Sequence, residues 1–501
     1  MDPEGLDLIS EAFWDIFEKE YPFQVGGVEI ASVPLISAII LKSQQRGKPV
    51  NGFVVRKSRK YHGLQNLIEG NINEHKIILV DDIINSGGTL IYQMKALEAI
   101  GKKVHSFFVP VNYRGQESYD KLKDMGIELK YLFSLDDFNI DKKIFEKKIK
   151  KDALKENFQL IWHFASPDPN YFNVVPKSTP ILDEEKIFFG SDSGYFWALN
   201  QKDGSIAWKF KVGNIPFRKG ILSSPAIHKD LVYFGSYDGN LYALDKNSGR
   251  LRWKNLDADY IGSSPVISPK LKMLFVGLEF GLFNRKGGIT ALDLQSGKRI
   301  WHYEMKNFVH CSPAYCPEKE LVATGCNDGY AYMFNAKNGN LKWKFKTEGA
   351  IKSSLVFDIK NNLLLFGSFD KSMYALDIDS GEIKGQFKTG DLIYSIPKVY
   401  GNNAYLASTD KNLYCVDLKN GELKWKFEST GRFFSSPEIY DEKLYIGSNN
   451  GKMFEIDPEN GECLSYYQVT ERITNKIIYN SKTKRFFILT FANELYCISK
   501  K

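Results

Sequence analysis

Two kinds of hydrophobic pattern divide the chain. Up to about residue 140, apolar runs of strand length ("NGFVVRK", "KIILVDD", "VHSFFVPV", "ELKYLFSL") alternate with helical patterns ("PLISAIILKSQQRG", "GTLIYQMKALEAIG"). That alternation predicts βαβ units, an α/β domain over 1–140 with a parallel sheet and flanking helices. From residue 160 a different unit takes over. "FFGSDSGYFWALNQKDGSIAWKF" at 188–210 returns as "YFGSYDGNLYALDKNSGRLRWKN" at 233–255, then from 275, 322, 365, 405 and 445, about 40 to 48 residues apart. Each unit places a strand with "SSP" before "LYxGSxDG", "LYALD" and "xxSGxLxWKF", four short strands joined by tight Asn/Asp-Gly turns. Between the two textures, residues 141–158, "DKKIFEKKIKKDALKENF", read as a basic, solvated linker helix.

Seven complete units run from 178 to 467 and leave two orphans. "QLIWHF" (159–164) has the pattern of an isolated fourth strand, and the C-terminal "KIIYN", "RFFILTF" and "NELYCIS" form three strands lacking a fourth. Joined, they make an eighth blade from both ends of the segment. The expectation is an all-β eight-bladed propeller over 159–501 that hides its own sheet edges.

Composition narrows the setting. With 501 residues, 43% apolar and 14% aromatic, the chain can build two sizeable cores. Its N-terminus, "MDPEGLDLISEAFWDIFEKEYPF", lacks a basic n-region, and no later stretch reaches about 18 uninterrupted apolar residues. Neither export nor membrane insertion is expected. Six cysteines in so long a chain form no disulfide framework and suit a reducing cytoplasm. Acids and bases balance over the first 150 residues, so the net charge of +7 comes from the remainder. That excess is too diffuse to support a nucleic-acid partner.

Candidate chemistry centres on "IILVDDIINSGGT" (77–89), an apolar run that empties into two carboxylates and a glycine turn, with "LIYQMKALEAI" starting a helix directly after. Backbone N–H groups of a turn that opens a helix attract phosphate, and glycines allow its close approach. Asp81 and Asp82, beside that phosphate, suit ribose hydroxyls or a metal ion; loop-capping acids are the alternative.

The segment resembles the 5-phosphoribosyl-1-diphosphate (PRPP) loop of type I phosphoribosyltransferases. Three more stretches, in order, resemble the orotate phosphoribosyltransferase branch: "VGGVEIASVPLISAI" its diphosphate loop, "GKPVNGFVVRKSRKYHGLQNLIEG" its catalytic loop, and "VNYRGQESYDKLKDMGIELKYLFSLDDF" the segment with a base-recognising arginine. The resemblance spans about residues 23–139. It implies that Asp81 and Asp82 hold the ribose 2- and 3-hydroxyls, and that Asn85, Ser86, Gly87, Gly88 and Thr89 cradle the 5-phosphate. Val28 and Glu29 fall in the diphosphate loop. Arg56, Lys57, Lys60 and His62 would neutralise the departing diphosphate, against the alternative of a basic surface loop, and Arg114 would meet an acceptor carboxylate. Mg²⁺ would arrive with PRPP, with no dedicated set of protein ligands. The resemblance also implies a homodimer through residues 1–140. Two departures stand out: only 25 residues precede Gly26, and Asn85 and Gly88 stand where the family often has Thr. The leading function is phosphoribosyl transfer from PRPP to a nucleobase or base-like acceptor, within nucleotide metabolism. Its rivals are a PRPP or nucleotide sensor acting through the propeller, and a propeller scaffold with a dimerising first domain.

The repeats resemble the quinoprotein-type propeller shared by pyrroloquinoline quinone (PQQ) dehydrogenases and an outer-membrane assembly lipoprotein. Trp208, Trp253, Trp301, Trp343 and Trp425 match its docking motif. The quinone enzymes of this class resemble exported proteins and often carry two adjacent cysteines over the cofactor. This chain has neither feature, so no PQQ is expected. His310, Cys311, Cys316 and Cys326 offer one His and three Cys, but they flank an innermost strand, where small apolar residues pack. The propeller is therefore read as an interaction platform for a protein partner. Two irregularities point to its surface: "GNIPFRKG" between blades one and two, and "EFGLFNRKGG" between the second and third strands of blade three. Both should crown one rim. They carry Phe217, Arg218 and Lys219, and Phe283, Arg285 and Lys286, a mixture suited to an acidic protein, a nucleotide or a nucleic-acid strand, unless they are tolerated loop insertions.

Overall fold

A computed structural model describes residues 2–28, 32–56, 68–84, 88–98, 100–112, 126–134, 137, 157–166, 178–213, 220–256, 258–281 and 285–501. The chain divides into two compact units, the first within Met1–Glu156 and the second from Asn157 onward. The 141–158 linker helix lies outside the described residues up to Glu156, and Phe158 already belongs to a propeller strand.

The first unit is an α/β layer structure. Its strands are β1 (Phe23–Val28), β2 (Asn51–Val55), β3 (Ile68–Glu69), β4 (Lys76–Val80), β5 (Ile83–Ile84), β6 (Val104–Asn112) and β7 (Glu128–Ser134). They lie in the order β3-β2-β1-β4-β6, with β5 and β7 both on β6. All neighbouring pairs are parallel except β2 with β3. Helix α2 (Val33–Gln45) connects β1 to β2 on one side, and α3 (Gly88–Glu98) connects β4 to β6 on the other. Right-handed crossovers in opposite directions put the two helices on opposite faces of the sheet.

Sequence reading misses helix α1 (Pro3–Phe17). Asp2 caps it by accepting from Gly5 N at 2.8 Å, and Pro3 opens its first turn. Its apolar stripe of Phe13, Trp14 and Phe17 is fully buried against Phe23, Ile39 and Phe108, and Trp14 Nε1 donates to Ile39 O at 3.2 Å. On its outer side Lys42 meets Asp7 and Arg46 meets Glu11, both of them surface pairs that add little. Among the described residues no helix is long and apolar enough to cross a membrane.

The second unit is an eight-bladed propeller of four-stranded antiparallel sheets. The last blade pairs Ile478–Asn480, Arg485–Leu489 and Leu495–Lys500 with Phe158–Phe164, so both ends of the unit share one sheet. Each letter of the repeat has a physical task. The first serine of the doublet accepts from the second strand of its own blade, as in Ser223 Oγ from Gly235 N at 3.1 Å and Ser395 Oγ from Ala407 N at 3.0 Å. The second serine accepts from the previous blade: Ser264 Oγ from Ser224 N at 2.8 Å, Ser312 Oγ from Ser264 N at 2.9 Å. Asn475 Nδ2 donates to Ser178 O at 2.9 Å and closes this circle. The Asp of "LD" caps the following turn; Asp245 accepts from Asn247 N and Ser248 N, and Arg252 beside it together with those turn donors holds its carboxyl down at about 2.

The docking tryptophans bridge blades. Trp301 Nε1 donates to Ala336 O at 2.9 Å, Trp343 to Ile378 O and Trp425 to Pro458 O, and each ring lies over a glycine of the next blade. Trp162, in the closing strand, does the same with Gln201 O at 3.0 Å and is a sixth docking tryptophan beyond the five read from sequence. Gly339 has φ +73°, and a Cβ there would sit 2.6 Å from the Trp301 ring, whereas Gly421 has the same φ but faces no ring, because Gly385 replaces the tryptophan. This pair separates backbone strain from packing. Gly421→Ala should cost about 1–2 kcal/mol, the left-handed penalty alone. Gly339→Ala should cost about 1–3 kcal/mol more through overpacking. Chemical denaturation should rank the variants in that order, and equal losses would show that the ring contact does not hold the blades.

Candidate active site

Strand order in the first unit fixes where chemistry can occur. The chain leaves β1 toward β2 in one direction and leaves β4 toward β6 in the other, so the order reverses between β1 and β4. In open α/β sheets, the carboxyl ends of strands at such a reversal bound a crevice that helix turns cannot fill. Val28 ends β1, Arg56 follows β2, and Asp81 and Asp82 follow β4 on this edge.

Close packing draws the edge together. A Cβ on Gly27 would sit 2.5 Å from Val80 O and 2.4 Å from Ser32 Oγ, so only glycine lets β1, β4 and the start of α2 approach this closely. Ser32 donates through both N and Oγ to Val28 O, tying the chain ahead of α2 back to the end of β1. Asp81 is buried at 7% exposure, its N–H donates to Phe108 O at 3.2 Å, and its Oδ1 accepts from Asp82 N at 3.1 Å. Asp82 is exposed. The pair therefore combines one anchored and one presented carboxylate at the strand end. Gly88 opens α3, whose first N–H groups have no intrahelical partner and favour an anion. Arg56 reaches across the β2–β3 hairpin, with Nη1 2.7 Å from Glu69 Oε1.

The structure thus brings Val28, Arg56, Asp81, Asp82 and the helical start at Gly88 and Thr89 to one sheet edge. Glu29, Lys57, Lys60, His62, Asn85, Ser86, Gly87 and Arg114 lie outside the described residues. Carboxylates beside a helical amide cluster suit a sugar phosphate that carries free hydroxyls. Among the described residues no three His, Cys, Asp or Glu side chains converge on a metal position.

In the propeller, Phe217, Arg218, Lys219 and Phe283 also lie outside the described residues. Arg285 stands 5.7 Å from the centre of the Phe308 ring, and Lys286 pairs with Glu304 at 2.8 Å. Much of the blade-three insert is not loop: Lys286, Gly287 and Gly288 pair with Phe280, Glu279 and Leu278 and lengthen the hairpin. Gly213, at the start of the other insert, donates to Asp238 in the turn between the second and third strands of blade two. Cys311, Cys316 and Cys326 are buried, and Cys311 Sγ donates to Ser353 O at 3.1 Å. Burial pushes the Cys311 thiol up to about 11 and Cys326 further, which keeps both neutral among the apolar groups around them. Among the described residues no cysteine lines the axial cavity of the propeller.

Comparison with known proteins matches this division. Residues 2–138 match the phosphoribosyl transferase domain family, 154–309 the family of outer membrane protein assembly factor BamB, and 284–501 the β-propeller family of beta-alanine-activating enzyme. The orotate phosphoribosyltransferase of Aquifex aeolicus is 31% identical over 135 residues, 27% of this chain and 73% of that enzyme. Among solved structures, BamB from Moraxella catarrhalis superposes with a TM-score of 0.55 at 17% identity, over 69% of this chain and 98% of that one. The quinohemoprotein alcohol dehydrogenase ADHIIG from Pseudomonas putida HK5 does so with a TM-score of 0.58 at 13% identity, over 69% and 76%. At those identities the likeness concerns the fold of the propeller alone. Through its N-terminal unit, with the carboxylate pair at the carboxyl end of β4, the chain belongs to the phosphoribosyltransferase family and counts orotate phosphoribosyltransferases among its relatives.

Proposed function

We propose that the first unit transfers a phosphoribosyl group from PRPP to a nucleobase or base-like acceptor in the presence of Mg²⁺, and that the propeller serves as its interaction platform. The observation that carries this reading is the placement of Asp81 and Asp82 at the strand-order reversal, with α3 opening at Gly88 directly downstream.

Displacement of diphosphate from C1 of the sugar makes the ring oxocarbenium-like while negative charge grows on the leaving group. Catalysis then consists of holding the sugar and neutralising the leaving group. Asp81 and Asp82 take the ribose hydroxyls as acceptors, and the segment Asn85–Thr89, which runs into α3, meets the 5-phosphate. Arg56 with Lys57, Lys60 and His62, close together in sequence, supply cations to the diphosphate. Mg²⁺, when it enters with PRPP, supplies further charge neutralisation there. Arg114 offers a planar fork to an acceptor carboxylate, which is the feature an orotate-like base would present.

Three outcomes follow. Incubation with PRPP, Mg²⁺ and a panel of bases should release diphosphate only with the true acceptor; tight PRPP binding without release for any base would favour a sensor. Lys60→Ala and His62→Ala should each lower turnover roughly 10²-fold while PRPP still binds, and wild-type turnover in both would remove the catalytic-loop assignment. Asp81→Asn combined with Asp82→Asn should abolish PRPP binding in calorimetry. In line with the family resemblance, we further propose a homodimer through residues 1–140; light scattering that gives an active monomer would contradict it.

A further inference from the structure

The axis of the propeller holds a second constellation of side chains that the transfer reaction does not use. The first strand of every blade begins at the axis, so the residues around its serine doublet meet there from all eight blades. The second doublet position is a hydroxyl in most blades, because it is bonded to the preceding blade. The residue just before the doublet has no such task, and it differs from blade to blade: Leu222, Gly262, His310, Lys352, Tyr394 and Phe434 follow one another around the axis. Together these two circles line a cavity of about 510 Å³. That volume lies in the range of small-molecule sites, about 300–1,000 Å³.

The chemistry is concentrated on one side. The Tyr394 ring stands 4.6 Å from Phe369 and 5.1 Å from Phe434, both tilted, so Tyr394 and Phe434 make an aromatic wall of the cavity and Phe369 adjoins it. Lys352 Nζ lies 4.7 Å over the Phe369 ring, which holds the ammonium at the end of that wall. In the preceding blade, His310 Nδ1 is 3.0 Å from Oε1 of Glu279, whose side chain is only 2% exposed. That bond orients the imidazole so that Nε2 is the nitrogen able to reach a ligand. Lys476 adds a third basic group, bound to Glu438 at 2.7 Å. No carboxylate is among the residues lining the cavity, and the doublet hydroxyls supply donors.

We propose that this cavity binds a small planar aromatic molecule carrying a phosphate, of nucleoside monophosphate class. The ring lies against Tyr394 and Phe434, and the anion meets Lys352, His310 Nε2 and the serine hydroxyls. Aromatic stacking and a cation beside hydroxyl donors each recognise half of such a ligand, and neither half alone uses the whole site.

The test is calorimetry on the full-length chain with uridine 5′-monophosphate as probe, in the Asp81→Asn, Asp82→Asn background so that binding in the first unit is suppressed. Uridine and inorganic phosphate serve as half-ligands and PQQ as a planar polyanion of another kind. The nucleotide should bind at least 10-fold tighter than either half-ligand. Lys352→Met, which keeps the stem over Phe369 but removes the charge, and Tyr394→Leu should each weaken it 10-fold or more, with unchanged thermal midpoints. Lys419→Ala, on an exposed turn, should change nothing. No measurable nucleotide binding, equal binding by both axial variants, or binding of inorganic phosphate as tight as that of the nucleotide would overturn the proposal. Tighter binding of PQQ than of the nucleotide would overturn it in favour of a quinone site.

Discussion

The reversal of strand order between β1 and β4 is the constraint on which the chemistry of the first unit depends. Two right-handed crossovers that leave in opposite directions cannot cover the same strip of sheet edge, so a crevice opens at the carboxyl ends of these two strands. Everything the site needs is then delivered by local sequence. Gly27 lets the strands and the start of α2 close up, Ser32 ties the chain back to β1, and Asp81 is pinned by Phe108 O while Asp82 stays in solvent. In the proposed reading, the helix-opening amides are the partners of a phosphate and the two carboxylates those of the ribose hydroxyls.

The propeller obeys a different constraint, that of repetition. A ring of sheets with short, protected edges requires each blade to repeat the same bonds to its neighbours, and the repeat assigns its serines, its Asp and its Trp-over-Gly contact to that purpose. Sharing the eighth blade between Phe158–Phe164 and the C-terminal strands closes the ring. Positions that the repeat leaves free are then the informative ones. Around the axis they place His310, Lys352, Tyr394 and Phe434 side by side, four different chemistries at one place in the motif.

Much of this was legible in the sequence. The runs at 51–55, 76–80, 104–112 and 128–134 read as strands because they are apolar, β-branched or aromatic, and bounded by turn residues, and the two-ended eighth blade followed from counting strands. Helix α1 was not read, because its stripe of Phe13, Trp14 and Phe17 is interrupted by acids, and its burial depends on a sheet formed later in the chain. Trp162 was missed as a docking residue because its partner Gln201 belongs to the first blade, reached only when the ring closes. The blade-three insert looked like loop, yet its glycines continue the ladder opposite Leu278 and Glu279. The axial ring was invisible because its members lie about 40 residues apart and converge only in three dimensions. A varying position beside a constant doublet was the signal that would have found it.

The account's central claim is that PRPP binds at the carboxyl ends of β1 and β4 through the carboxylate pair and the turn before α3. Hydrogen–deuterium exchange of the full-length protein, with and without PRPP and Mg²⁺, tests it most directly. The account predicts slowed exchange concentrated over residues 26–32 and 81–90, lost in the Asp81→Asn, Asp82→Asn protein. Unchanged exchange in both segments at saturating PRPP, or slowing that survives the double substitution, would contradict it.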